Sequence, residues 1–236
     1  MNVIQNYYSI INNIDFVFKR MIEEKGDESL SKSHNFLMDY ELFKHALAGR
    51  PEVAVLELAL KEYQFALFAL VSGQYRHAFG GLRLFFELML STVQFSAHEI
   101  DFRRWDKDEK DINWSSLISN ETGVFSVNFI RAFNPDFTDS AKQYLAIAGT
   151  VYRECSQFVH GNSNTHKNLP NTFEFKKDIF EDWHIKAATM RLAVVFAFSA
   201  RYLNYVENNT IEPVVLDTLG HLTAVQTIYS KFSMEK

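Results

Sequence analysis

One short segment of the sequence combines side chains that can act on a phosphate ester. It is Tyr152–Gly161, YRECSQFVHG, in which Arg153 and His160 lie seven residues apart. On an α-helix that separation is two turns, about 10 Å along the axis, so both side chains point to one side. A guanidinium binds phosphate oxygens and an imidazole exchanges a proton near neutral pH. The pair could therefore hold one phosphate-sized group, whereas in a purely structural interpretation His160 caps helix carbonyls and Arg153 is solvated.

The same helix, expected at 139–160, carries a stripe of polar and small residues on the side of this pair. The stripe consists of Lys142, Ala146, Gly149, Arg153, Ser156 or Gln157, and His160. Gly149 costs about 1 kcal/mol relative to alanine in the middle of a helix. We therefore expect another backbone segment or a ligand to lie close to it.

A second polar stripe runs along the apolar helix expected at 75–98. Its residues recur at steps of three and four, which places them on one face; they are Arg76, Gly80, Arg83, Glu87, Ser91, Gln94 and His98. Arg83 and Glu87 are four residues apart and can form an ion pair. Either the stripe is the solvated side of a buried helix, or Arg83 and Glu87 lie behind a functional pocket and orient its side chains.

With these features the chain resembles the HEPN superfamily, helical domains of prokaryotic toxin–antitoxin and antiphage defence systems. The signature of that family is an arginine, four to six residues and a histidine near the end of a core helix, which Arg153 to His160 matches. The resemblance covers about residues 52–208. It implies a metal-independent endoribonuclease without a cofactor, in which two copies meet at a composite homodimer site and the RNA is cut with help from its own 2′-hydroxyl. It also implies a partner protein, an antitoxin or another defence component.

The resemblance assigns roles to residues of this chain. His160 would act as a general acid or base on the 2′-hydroxyl or the leaving 5′-oxygen. Arg153 would bind the scissile phosphate and stabilise charge in the transition state. The residues expected to position the phosphate or to support the catalytic pair are Glu154, Ser156, Gln157, Asn162, Arg83 and Glu87.

Two functions of other classes stay open at this point. The chain could be a non-catalytic helical interaction module that binds a protein partner or a small ligand in a defence or regulatory system. It could also be a small-molecule sensor that uses its aromatic core. Substitution of Arg153 and His160 separates these alternatives from an effector, because only the ribonuclease would lose its activity.

Composition favours an all-α fold and excludes several classes of protein. The 236 residues include 22 Phe, 10 Tyr and 3 Trp but only 9 Gly and 4 Pro, which favours long helices around an aromatic core and, with the surplus, a homodimer. The formal net charge of −5 argues against duplex-DNA binding. A lone Cys155 excludes an intramolecular disulfide. Neither a secretion signal nor a membrane-spanning segment is evident, so we expect a cytoplasmic protein.

The apolar periodicity predicts one helical domain over residues 1–236, a bundle built on antiparallel helical hairpins. Helices are expected at 3–24, 34–48, 52–71, 75–98, 139–160, 182–208 and 213–232, with an irregular insertion at about 99–138 that holds one or two short helices. A strand or extended loop is expected at 173–180, and Gly161 is expected to cap a helix in the left-handed conformation.

The motifs of other common catalytic and cofactor-binding sites are absent from the sequence. The sequence has no glycine-rich phosphate loop, dinucleotide-binding fingerprint or Gly-x-Ser-x-Gly turn. A di-iron bundle needs two Glu-x-x-His repeats, and only Glu181 with His184 fits. We expect Cys155 on the apolar face of its helix, where it is a poor nucleophile and a poor zinc ligand.

Overall fold

The chain folds into α-helices joined by short connections, in line with its few glycines and prolines. The computed structural model describes residues 2–160, 162–206 and 208–234. These ranges contain no β-strand, which confirms the all-α prediction. Besides a 3-10 helix at Pro135–Ser140, the helices are α1 (Val3–Glu23), α2 (Asp27–Ala46), α3 (Val53–Val71), α4 (Tyr75–Phe95), α5 (Glu99–Asp106), α6 (Trp114–Leu117), α7 (Val127–Phe133), α8 (Ala141–Val159), α9 (Ser163–Asn168), α10 (Lys177–Tyr202), α11 (Asn208–Leu219) and α12 (Thr223–Met234).

The hairpin of α3 and α4 forms the centre of the bundle. The chain reverses at Gly73, whose φ of 74° is in the left-handed region that glycine adopts without strain. The two helices pack closely, since a Cβ added at Gly81 would lie 3.0 Å from the Cβ of Ala66. On its other sides α4 packs against α8 and α10, which also contact each other. The predicted antiparallel hairpin is therefore confirmed, and α4 is the helix that α3, α8 and α10 all contact.

Aromatic side chains fill the interior between these helices. The ring of Tyr63 lies 5.8 Å from that of Tyr40, 4.8 Å from that of Phe85 and 5.9 Å from that of Trp183, measured between centroids. Trp183 donates its indole N–H to the carbonyl of Ala78 at 3.0 Å. Because a buried indole needs such a partner, this bond fixes α10 against α4.

The insertion between α4 and α8 is more regular than expected. It contains three short α-helices and the beginning of the 3-10 helix, where one or two helices were predicted. Side chains cap two of these helices: Asn113 accepts a hydrogen bond from the backbone N–H of Ser115, and Ser126 accepts one from that of Phe129. Such caps stabilise helices too short to show a periodicity of their own.

Several helix boundaries differ from the prediction. α2 begins at Asp27 rather than at 34, because Asp27 and Glu28 occupy its first turn, where the helix dipole favours negative charge. Residues 173–176 form a loop, but α10 starts at Lys177 and takes in the rest of the proposed strand. The predicted last helix is two helices, α11 and α12, separated at Gly220, where a Cβ would clash with the carbonyl of Leu216. Gly161 lies outside the described residues.

The described helices were also compared with the dimensions of a lipid bilayer. None of them has both the length and the apolar character required to span one.

Candidate functional site

The C-terminal half of α8 presents its predicted pair to solvent. Val151 and Cys155 are buried, whereas Arg153 and His160 are exposed. Arg153 forms no hydrogen bond or ion pair with the described part of the chain. His160 directly follows the last helical residue, and its backbone N–H donates to the carbonyl of Ser156 at 3.0 Å. Both side chains are thus accessible to a ligand.

Arg83 connects α4 to this end of α8. Its Nε donates to Oε1 of Glu87 at 3.0 Å, so the predicted ion pair is present. Its Nη1 lies 3.4 Å from Nε2 of His160. When Nε2 carries no proton it can accept a hydrogen bond from the guanidinium. The structure therefore brings together three of the predicted residues, with Arg83 in the middle.

Tyr152 is a fourth member of this cluster, and its role was not predicted. Its hydroxyl donates to the same Oε1 of Glu87 at 2.6 Å, and its ring centroid lies 4.8 Å from the guanidinium carbon of Arg83. Burial, together with the hydrogen bond to Glu87, raises the pKa of Tyr152 to about 12. The phenol thus keeps its proton and stays a donor at neutral pH.

Trp114, which lies on α6 in the insertion, packs against the ring of Tyr152 on α8. The two rings are stacked, with centroids 3.6 Å apart and planes within 7°. A stacked pair contributes about 0.5–1.5 kcal/mol beyond its burial. We call the set Trp114, Tyr152, Glu87, Arg83 and His160 the α4–α8 cluster. No sequence pattern predicts the stacking, since the two aromatic residues lie on separate helices far apart in the chain.

An open cavity adjoins this cluster where α4 passes the end of α8. It has a volume of about 480 Å³ and is lined by Arg76, His77, Gly80, Gly81 and Val159. Arg76 donates from Nη2 to the carbonyl of Val159 at 3.4 Å, and a Cβ at Gly80 would lie 3.7 Å from Val159. Gly80 and Gly81 have no side chain that would fill this cavity. Arg76 adds a positive charge at Val159, the residue before His160. Arg76 and Gly80 were visible as members of the α4 stripe, whereas His77 and Gly81 were not.

Glu154 and Gln157 lie apart from the α4–α8 cluster. Both line a larger cavity, of about 680 Å³, between α8, α9 and α10. Lys186 forms ion pairs there with Glu154 at 3.1 Å and with Asp182 at 2.8 Å. The structure therefore turns these two predicted residues toward α10. It does not bring them to Arg83.

The remaining predicted positions have local contacts. The hydroxyl of Ser156 donates to the carbonyl of Tyr152 at 2.8 Å, one turn back in α8. The carbonyl of Asn162 accepts a hydrogen bond from the backbone of His166 at 3.0 Å and so begins the turn into α9. A Cβ at Gly149 would meet no atom within 4 Å. No backbone of the described chain approaches that glycine, and the structure does not explain it.

Two further residues can be assigned to the interior. Cys155 is buried, and burial raises the pKa of its thiol to about 12, so it is a poor nucleophile as expected. His184 is also buried, with Nδ1 2.7 Å from the hydroxyl of Ser33, and burial lowers its pKa to about 4. In the described residues no group of three or more His, Cys, Asp or Glu side chains is placed to hold a metal ion.

The chain was compared with protein-family models, with curated protein sequences and with solved structures. None of the three comparisons found a match. The resemblance to the HEPN superfamily therefore stays a prediction from the residues quoted above.

Proposed function

We propose that this protein is a metal-independent endoribonuclease that acts as a toxin or antiphage effector, with Arg153 and His160 as its catalytic residues. The observation that carries the proposal is the position of Arg83, whose guanidinium contacts both Glu87 and His160, while Arg153, seven residues before His160, is exposed. An exposed imidazole at a helix end has freedom to rotate. A hydrogen-bond partner on another helix restricts that freedom, as a catalytic proton carrier requires.

The charge distribution at this end of α8 supports an anionic ligand. Arg83 contacts His160, Arg76 contacts the carbonyl of the preceding Val159, and Arg153 is exposed seven residues before His160. The C-terminal half of α8 thus has three permanent positive charges along it, of which Arg83 is paired with the carboxylate of Glu87. The protein as a whole has a net charge of −5. A local excess of arginine on an acidic protein favours phosphate binding at one place. It does not favour nonspecific binding to duplex DNA.

The proposed reaction needs no group beyond the RNA and the side chains. His160 removes the proton of a 2′-hydroxyl, and the 2′-oxygen attacks the adjacent phosphorus. The bond from phosphorus to the 5′-oxygen breaks, and the leaving oxygen takes a proton from the protonated His160, which restores the neutral imidazole. The products are a 2′,3′-cyclic phosphate and a 5′-hydroxyl. Arg153 stabilises the negative charge that develops on the phosphate oxygens.

Incubation of the purified protein with tRNA and total RNA in EDTA tests this proposal. We expect fragments from the wild type, and none from His160→Ala or Arg153→Ala. Matched controls are His98→Ala and Arg131→Ala, which remove exposed side chains of the same types elsewhere, and both should cleave like the wild type. Absence of cleavage by the wild type, or equal cleavage by all variants, would contradict the proposal.

A further inference from the structure

Helix α1 extends beyond the body of the protein. Every residue from Asn2 to Ser9 is exposed. The helix is held by its C-terminal half, where Val17 and Met21 are buried. Near its middle, Asn13 donates from its side chain to the carbonyl of Phe173 at 2.9 Å. Because isolated short helices are marginally stable in water, the extended part of α1 lacks the packing that normally stabilises a helix.

The exposed part of α1 has the residue pattern of a helix–helix contact. Ile4, Ile11 and Phe18 recur at seven-residue intervals, with Tyr7 and Ile14 between them. Spacings of three and four residues along such a row form the seam of a coiled coil. Ile4 is 60% exposed and Ile11 59% exposed. A second helix is the structural element whose side chains fit between those of this row.

The apolar surface continues from α1 onto the body. Phe18 and Phe68 line one cavity of about 330 Å³ between α1, α2 and α3. Phe65 and Phe68, one turn apart on α3, are each 65% exposed. The α1–α3 face is the surface formed by Phe65 and Phe68 with the exposed apolar residues on one side of α1, which are Ile4, Tyr7, Tyr8, Ile11 and Phe18.

The area of the α1–α3 face agrees with that of a stable dimer interface. Aromatic side chains bury about 150–250 Å² each, so its five aromatic rings, which are 39–65% exposed, present roughly 500 Å². The exposed isoleucines bring the face toward the approximately 800 Å² that each partner contributes to a standard interface. A surface of this size is larger than the apolar patches that monomeric proteins normally expose.

The charges on α1 favour a second copy over a membrane. No charged residue occurs from Val3 to Ile14, and Asp15 is the first. Helices that lie on membranes are rich in lysine and arginine on their polar side, which this part of α1 is not. Two identical uncharged faces can meet about a twofold axis without repulsion between like charges.

We propose that the α1–α3 face binds the same face of a second copy of this chain. This dimer does not depend on RNA cleavage, and its interface differs from a composite site formed by Arg153 and His160. In the dimer, each α1 packs its row of isoleucines and aromatic rings against the other subunit.

Sedimentation velocity and light scattering over a concentration series test the proposal on the full chain. We expect the wild type to be a dimer and the Ile4→Glu/Ile11→Glu variant to be a monomer with an unchanged circular dichroism spectrum. The matched control, Asn6→Glu/Ser9→Glu, adds the same charge at two exposed positions on the opposite side of α1 and should stay dimeric. A second variant, Phe65→Gln/Phe68→Gln, should weaken the dimer through α3, whatever happens to α1.

Three results would overturn the proposal. The first is a wild type that stays monomeric at every concentration. The second is a dimer that survives both apolar-face variants, particularly one that Arg153→Ala/His160→Ala dissociates, since that would place the interface at the end of α8. The third is a monomeric wild type that floats with vesicles of phosphatidylcholine and phosphatidylglycerol, which would assign the face to lipid.

Discussion

The interior of the bundle and the α4–α8 cluster use the same side chains for different purposes. Tyr144 is buried in the interior and stacks on Phe196, with centroids 3.8 Å apart and planes within 8°. Tyr152 stacks on Trp114 in nearly the same geometry, eight residues later on the same helix. Burial raises the pKa of both hydroxyls to about 12. Of the two hydroxyls, only that of Tyr152 contacts a carboxylate. The α4–α8 cluster therefore combines the ring stacking found in the core with a hydrogen bond to Glu87.

The two regions also differ in their histidines. His184 is 7% exposed, and its Nε2 has no hydrogen-bond partner in the described part of the chain. His160 is exposed and lies beside Arg83. The interior holds an imidazole that resists protonation, whereas the cluster holds one that a substrate can reach. Substitutions in the interior should therefore change stability, whereas substitutions in the α4–α8 cluster should also change RNA cleavage.

The largest expected effect belongs to the interior. Tyr144→Ala should lower the free energy of unfolding by about 3–5 kcal/mol, because it removes a fully buried aromatic ring and leaves a cavity. Urea unfolding followed by circular dichroism measures the change. A loss below about 1 kcal/mol would mean that the ring is not packed in the core as the structure shows.

Acidification should also destabilise the interior, through His184. Its pKa is about 4 in the folded protein and about 6.5 in an unfolded chain, so the unfolded state binds more protons between these values. Stability therefore falls as the pH is lowered from 6.5 to 4, by roughly 2–3 kcal/mol from this residue. Urea unfolding at several pH values measures the slope, and His184→Asn should reduce it. An unchanged slope in that variant would contradict the assignment.

A smaller effect distinguishes the two tyrosines. Tyr152→Phe removes the hydrogen bond to Glu87, so it should cost about 1 kcal/mol of stability and lower the RNA cleavage rate roughly tenfold. Tyr144→Phe removes a hydroxyl with no hydrogen-bond partner in the described chain and should leave both quantities nearly unchanged. Unfolding experiments and initial cleavage rates measure the two variants side by side. Equal cleavage rates would show that Tyr152 does not position Arg83.

Contacts within one helix were predictable from the sequence, and contacts between helices were not. The Arg83–Glu87 pair follows from a spacing of four residues, because that spacing places two side chains on the same face. The contact of Arg83 with His160 joins residues 77 apart, and the stacking of Trp114 on Tyr152 depends on how a short helix of the insertion packs. Glu154 shows the converse. It follows Arg153 directly, but neighbouring residues on a helix point about 100° apart, and Glu154 binds Lys186 on α10.

Predicted helix boundaries are accurate where a long apolar run ends at a turn, and inaccurate where a single contact decides where the helix ends. The apolar run of α3 ends at the turn of Ser72 and Gly73, so its bounds were predicted to within one residue. α10 was predicted at 182–208 but spans Lys177–Tyr202, because its first turns lack an apolar pattern and were read as extended. The short helices of the insertion depend on caps such as Asn113 and Ser126, which act through single hydrogen bonds. The break between α11 and α12 depends on one close approach at Gly220. Local features of this kind leave little trace in a pattern of apolar residues.

The measurement that most directly tests the catalytic role of the α4–α8 cluster uses a defined RNA oligonucleotide that the wild type cleaves in EDTA. A single 2′-deoxy substitution at the cleaved position should abolish cleavage there, and the products of the unsubstituted RNA should carry a 2′,3′-cyclic phosphate by mass spectrometry. His160→Ala should not cleave either oligonucleotide. Cleavage that persists at the deoxy position, or that persists in the His160→Ala variant, would contradict the account.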